Sequence, residues 1–159
     1  MGVIVVTDVC IRLASAADEG DIIDVFHSKG FFTYLPSAPD RQTVEATVSF
    51  YLEEYLRFPK RNVFLVAELI NIGGFATAHK RTDDTWEIQV GVHPAYRKNG
   101  IGGQLVAALI NILRAQTPTK CRALIHRENI ASMRIFSPFF HTMEPVPEME
   151  NYVRFTASW

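Results

Sequence analysis

The chain has 159 residues, 48 % apolar and 21 % charged, enough for one domain with a full core and unlike a disordered, collagenous or repeat protein. Its apolar runs are short and broken by charges, so no membrane span is expected, and a net charge of −1 argues against a general nucleic-acid binder. The start MGVIVVTDVC has no basic leader, and Val6 stands where myristoylation wants Ser or Thr, so neither a signal peptide nor a lipid anchor is expected. Two cysteines, Cys10 and Cys121, lack metal-ligand spacing and fit reduced thiols in the cytoplasm; no metal site is expected.

In chain order, Val9 to Leu13 reads as a first strand. Asp18 or Asp21 caps a helix carrying Ile22, Ile23, Val25 and Phe26. Gly30, Pro36 and Pro39 break that pattern. Asp40 then caps a second helix with Val44, Val48, Tyr51, Tyr55 and Leu56 on one stripe, ended by Pro59. Asn62 to Ile70 is a strand, Asn71 to Gly74 a tight turn, and Phe75 to Lys80 the returning strand. Trp86 to Val92 is the next strand, and its internal Gly91 suggests a bulge or a close backbone approach. Ile101 to Leu113 has helical spacing, and Thr117 and Pro118 stop it. Cys121 to His126 is a strand, Asn129 to Phe136 a short helix, and Phe139 to Met143 with Asn151 to Ala157 a last pair of strands. The order β-α-α-β-β-β-α-β-α-β-β describes one mixed α/β domain over residues 1–159, with no linker or repeat.

Charge is unevenly spread. Residues 88–127 hold Arg97, Lys98, Arg114, Lys120, Arg122 and Arg127 and no acid, so the remainder carries −7 against a total of −1. A polyanionic ligand would find one favourable region. Within it, Arg97-Lys98-Asn99-Gly100-Ile101-Gly102-Gly103 opens the apolar helix. This is not a Walker loop, because no G-x-x-x-x-G-K-[ST] is present, nor a full dinucleotide fingerprint, because no acid follows for a ribose. Unpaired N–H groups and the helix dipole nonetheless favour an anion at such a start.

In this context the sequence resembles the GCN5-related N-acetyltransferase (GNAT) superfamily. Arg97 to Gly102 matches its R/Q-x-x-G-x-G/A motif, Asn129 matches the Asn that begins its last helix, and the order of elements fits along nearly the full chain. The resemblance implies a GNAT-type acyl-CoA N-acyltransferase domain using acetyl-CoA as co-substrate. Amides from about Lys98 to Gly103 would cradle the pyrophosphate, with charge from Arg97 and Lys98. A bulge at Gly91 would splay two strands. Pantetheine would lie in the gap against Val90 and Val92, near Asn129, and a main-chain N–H would polarise the thioester.

The family's usual tyrosine acid falls at Phe136, which cannot donate a proton. Ser132, one turn earlier, is a substitute donor. Glu87 is the first candidate base, since burial beside Trp86 would raise its pKa, and His79 on the neighbouring strand is the second. The acceptor is expected among Phe31, Phe32, Tyr34, Leu35 and the loop of Glu144, Glu148 and Glu150, as a primary amine of a small molecule or peptide. Two readings stay open: an N-acetyltransferase, or an acetyl-CoA-binding regulatory module without turnover. Family members often pair through their C-terminal strands, so a homodimer is compatible with the apolar end FTASW.

Overall fold

A computed structural model describes residues 8–116 and 119–159. Its elements are β1 (Cys10–Leu13), α1 (Glu19–Phe26), α2 (Arg41–Arg57), β2 (Asn62–Glu68), β3 (Ile72–Lys80), β4 (Thr85–Val92), α3 (Ile101–Arg114), β5 (Lys120–His126), α4 (Ile130–Phe136), β6 (Thr142–Pro145) and β7 (Tyr152–Ser158). This mixed α/β order is the expected one, with single 3-10 turns added at Ala16–Asp18 and Pro94–Tyr96. The seven strands form one sheet in the order β1-β2-β3-β4-β5-β7-β6. Every neighbouring pair is antiparallel except β4 and β5.

Helices α2 and α4 each begin where a short polar side chain satisfies a free N–H group. Asp40 accepts from Thr43 N at 2.7 Å, and Asn129 accepts from Ser132 N at 3.1 Å. Ahead of α1, Asp18 serves a different purpose: it takes Ser15 N and binds the Arg12 guanidinium through both oxygens at 2.8 Å. That pairing holds the buried Asp18 carboxyl below its usual pKa.

The sheet has two dry faces. On one, α3 lays Leu105, Val106, Leu109, Ile110 and Leu113 onto Trp86, Ile88, Cys121 and Ala123. Full burial of such a side chain contributes about 1.5–3 kcal/mol. On the other, α1 and α2 place Ile22, Val25, Val44, Val48 and Leu52 on Phe64, Val66 and Phe75. Burial pushes the Cys121 thiol up to about 12, whereas Cys10 is exposed; both are free.

Several boundaries differ from expectation, those of β3 and β6 most. β3 starts at Ile72, so Gly73 and Gly74 belong to the strand and not to the turn. The cause is packing. A Cβ on Gly73 would meet Leu69 at 2.6 Å and Tyr96 at 2.7 Å, and one on Gly74 would meet the Gly91 carbonyl at 2.9 Å. β6 starts at Thr142, because Phe140 turns inward against Phe136 and Phe155. Trp159 folds back on its own chain, pairing with Thr119 in both backbone directions while Arg114 lies over its ring. The expected helix stop at Thr117–Pro118 and the apolar segment 1–7 lie outside the described residues. Among the described residues no helix is long and apolar enough to cross a membrane.

Candidate active site

The sheet is split in its middle. β4 and β5 pair only at Thr85–Lys120, Trp86–Cys121 and Glu87–Arg122. Beyond Glu87, the Ile88–Val92 segment has no ladder partner on that side, and neither has Ala123–His126. Backbone N–H and C=O groups facing such a gap seek partners, so the gap suits an extended ligand that can pair like a strand. Val90 and Val92 border it. The splay does not come from a bulge at Gly91, however. The β3–β4 ladder runs without a register shift from Gly74–Val92 to Lys80–Trp86. Gly91 is instead a close-approach glycine: a Cβ there would meet Phe31 and Phe75, each at 2.7 Å.

At the open end of the gap, the loop into α3 bends through two left-handed residues, Lys98 (φ 64°) and Gly100 (φ 72°). The Asn99 side chain braces it by donating to the carbonyls of Tyr96 and Arg97 at 3.2 and 3.1 Å. No side chain caps α3. The first amide to bond back is that of Gln104, to Gly100 O at 3.0 Å, so the amides of Ile101, Gly102 and Gly103 face outward. A Cβ on Gly100 or Gly103 would meet nothing within 4 Å, which leaves room above them. Gly102 is a packing position, where a Cβ would meet Ile135 of α4 at 2.7 Å.

The basic segment does not converge on this loop. Arg97 and Lys98 stand there, although Arg97 Nε donates to Val92 O at 3.2 Å. Arg114 sits at the far end of α3, about 20 Å away by helix rise, and Arg122 pairs with Asp83 and Glu87. The gap and the amide cradle thus fit a ligand with a strand-like arm and a pyrophosphate, neutralised mainly by dipoles.

On the α2 face, a cavity of about 430 Å³ lies beside Glu87, the last paired residue before the split. Alternation sends Glu87 and Gln89 into it, beside Thr77 and His79 of β3. Glu87 does not share the burial of Trp86, which faces α3. It stands between Arg81 at 3.4 Å and Arg122 at 3.8 Å.

His79 has the more specific environment. Asn62 heads β2, and its amide nitrogen donates to Phe58 O at 3.0 Å and Glu54 O at 3.4 Å. Its oxygen therefore faces His79 Nδ1, 2.6 Å away. An acceptor at that distance requires the proton on Nδ1 and leaves the lone pair on Nε2, a tautomer assigned from the network. Burial lowers the His79 pKa below 6.5, and Arg81 and Arg61 lower it further against Glu87 and Glu54. The imidazole is thus neutral near pH 7 with one free acceptor. Above it lies Tyr55, hydrogen-bonded to Thr77 and shifted upward in pKa by burial. Sequence reasoning missed Glu54, Tyr55, Asn62 and Thr77. The only signal was the aromatic stripe on α2, which reads equally as core.

The expected acceptor residues are placed elsewhere. Phe31 and Phe32 pack on Phe26. Tyr34 stacks on His126 at 4.8 Å and donates to Glu128 O at 3.3 Å, while Tyr152 donates to Tyr34 O at 3.2 Å. Phe31 on β4 and Tyr34 on β5 therefore carry the α1–α2 loop across the split. Leu35 is exposed, and Glu148 reaches Arg154 at 3.9 Å, so none of these lines the cavity. Phe136 is buried against Phe140, and Ser132 sits half-buried one turn earlier with its amide taken by Asn129.

This arrangement has relatives. YncA from Salmonella typhimurium, solved with its cofactor acetyl-CoA, superposes with TM-score 0.73 at 22 % identity, covering 96 % of this chain and 94 % of that one. PaiA N-acetyltransferase from Thermoplasma acidophilum, solved with coenzyme A, gives 0.76 at 18 % identity, covering 96 % and 100 %. Phosphinothricin acetyltransferase from Sinorhizobium meliloti, with acetyl-CoA, gives 0.74 at 18 %, covering 96 % and 89 %. At these identities the likeness concerns the fold. No curated protein matches the sequence significantly. The acetyltransferase (GNAT) family pattern matches residues 29–139, well over half of the sequence, and the chain belongs to that family.

Proposed function

We propose that the protein, acting as one domain over residues 1–159, transfers an acetyl group from acetyl-CoA to a primary amine by direct attack in a ternary complex. The observation that carries this reading is the split after Glu87 beside a cavity lined by His79, whose Nδ1 faces Asn62 Oδ1. When bound, acetyl-CoA supplies a thioester carbonyl as the electrophile. The outward amides of Ile101, Gly102 and Gly103 and the Lys98–Gly100 bend receive its pyrophosphate, and β4 at Val90 and Val92 receives the pantetheine arm. A β4 N–H in the gap polarises the carbonyl.

His79 Nε2 takes the proton that the amine releases as its C–N bond forms. Glu87, paired with Arg81 and Arg122, faces the same cavity beside His79. The C–S bond breaks toward a thiolate. A free thiol has a pKa of about 8.5, so the thiolate leaves at neutral pH without the tyrosine that Phe136 replaces. General-acid assistance is worth about 10²–10⁴-fold, and Ser132 is the nearest hydroxyl on α4 to supply it. Two free cysteines, one deeply buried, suit a reducing compartment such as the cytoplasm.

The test is thiol release from acetyl-CoA across a panel of amines, with a parallel binding titration. Amine-dependent release with intersecting double-reciprocal plots is expected. Tight acetyl-CoA binding without release on any amine would establish a binding module.

A further inference from the structure

The cavity beside Glu87 also speaks to the acceptor. Six rings line it: Phe26, Phe50, Tyr51, Tyr55, Phe64 and Phe75. Phe50 and Tyr51 stand at its rim, 61 % and 51 % exposed, where nothing in the fold requires aromatic side chains. Two carboxylates reach the same space. Glu87 is already bracketed by Arg81 and Arg122. Glu54, from α2, is half-buried and makes no ion pair among the described residues. Its charge acts on His79, raising the imidazole pKa against burial. An unpaired carboxylate, an aromatic wall and a neutral imidazole together make a site for one organic cation, through charge, ring faces and apolar contact.

Other amines fit less well. A polyamine would bring several cations to one unpaired carboxylate. An amino sugar would bring several hydroxyls to a wall in which four of the six rings are phenylalanines. An amino acid would bring a carboxylate toward Glu54 and Glu87, with Arg81 already engaged.

Resting on the acetyl-transfer reading, we infer that the acceptor is a monoamine whose single amino group hangs on a short chain from an aromatic or compact apolar body. Glu54 draws the ammonium in, the body lies among Phe26, Tyr51 and Phe75, the ammonium sheds one proton to solvent in the open cavity, and His79 beside the split takes the second as the C–N bond forms.

The experiment uses the full chain with saturating acetyl-CoA. It compares 2-phenylethylamine with spermidine, an amino sugar and phenylalanine by thiol release, and measures 2-phenylethylamine binding to the protein–coenzyme A complex by calorimetry. Expected are at least tenfold higher kcat/KM for 2-phenylethylamine than for the others, and a roughly tenfold weaker amine KM and Kd in Glu54→Gln and Tyr51→Ala. Coenzyme A affinity and melting temperature serve as folding controls. Preference for spermidine, the amino sugar or phenylalanine overturns the inference while leaving acetyl transfer standing. So does an unchanged amine KM in Glu54→Gln. Binding of 2-phenylethylamine that depends on Glu54, without turnover on any amine, supports the ligand class and sinks the transfer reading. Absence of both binding and turnover of 2-phenylethylamine overturns the inference.

Discussion

The two faces of β4 make an instructive pair. Trp86 and Ile88 turn toward α3 and are 2 % and 3 % exposed. Glu87 and Gln89, one residue out of step, turn toward α2 and line an open cavity. One face is filled to interior density and the other is left open. A single residue of alternation thus separates what holds the sheet from what faces the cavity, and substitutions on the two faces should separate in the same way.

The largest effect is expected on the closed face. Trp86→Ala removes a fully buried indole and should cost about 3–5 kcal/mol of unfolding free energy, read by urea denaturation. On the open face, His79→Gln should lower kcat by about 10²-fold or more. Its stability cost should stay within about 1–3 kcal/mol, the penalty for leaving Asn62 Oδ1 without its donor. An unchanged kcat would remove His79 from the reaction and return the base to Glu87.

Next comes Gly100→Val at the mouth of the split. A branched residue at φ 72° is strained by about 1–3 kcal/mol, so acetyl-CoA affinity should fall about tenfold or more in calorimetry, with amine KM at saturation unmoved. Unchanged affinity would sink the cradle. The smallest effect concerns pH. Burial, then Arg81 and Arg61, hold the folded His79 pKa below 6.5, so activity that needs neutral imidazole should persist through pH 6.5 and fall only below it. Arg81→Gln should move that acid limb upward, since it removes one of the cations that hold the imidazole pKa down. Stability follows the same sign. The contribution of the neutral imidazole is present above the unfolded pKa of about 6.5 and is lost as pH falls through 6.5 toward the folded value.

What could be read from the sequence was local. Asp40 and Asn129 cap helices through side chains three residues from their partners, and the glycines at the start of α3 mark where that helix opens. The element order followed from periodicity. What could not be read depends on partners far along the chain. Gly91 is a glycine because Phe31 and Phe75 press on it, and an isolated strand glycine looks the same whether it bulges or packs. Tyr51 and Tyr55 share a stripe with Val44 and Val48, and only the seating of α2 on the sheet decides which of them face a core and which a cavity. Asn62 looked like an ordinary strand start until the carbonyls of Glu54 and Phe58 fixed its amide.

The three-pair contact between β4 and β5 has a consequence for the life of the protein as well. On the proposed reading, a reagent lying in the split would act as a missing strand, and the sheet would be whole only while that reagent is held. By mass action, occupancy at a hundred times the dissociation constant adds about 2.7 kcal/mol to stability. Scarcity of the same metabolite withdraws it. A shift of that size is enough to alter how long a folded chain escapes cellular proteolysis. The amount of enzyme present would then track the supply of its own acyl donor, with no separate sensor.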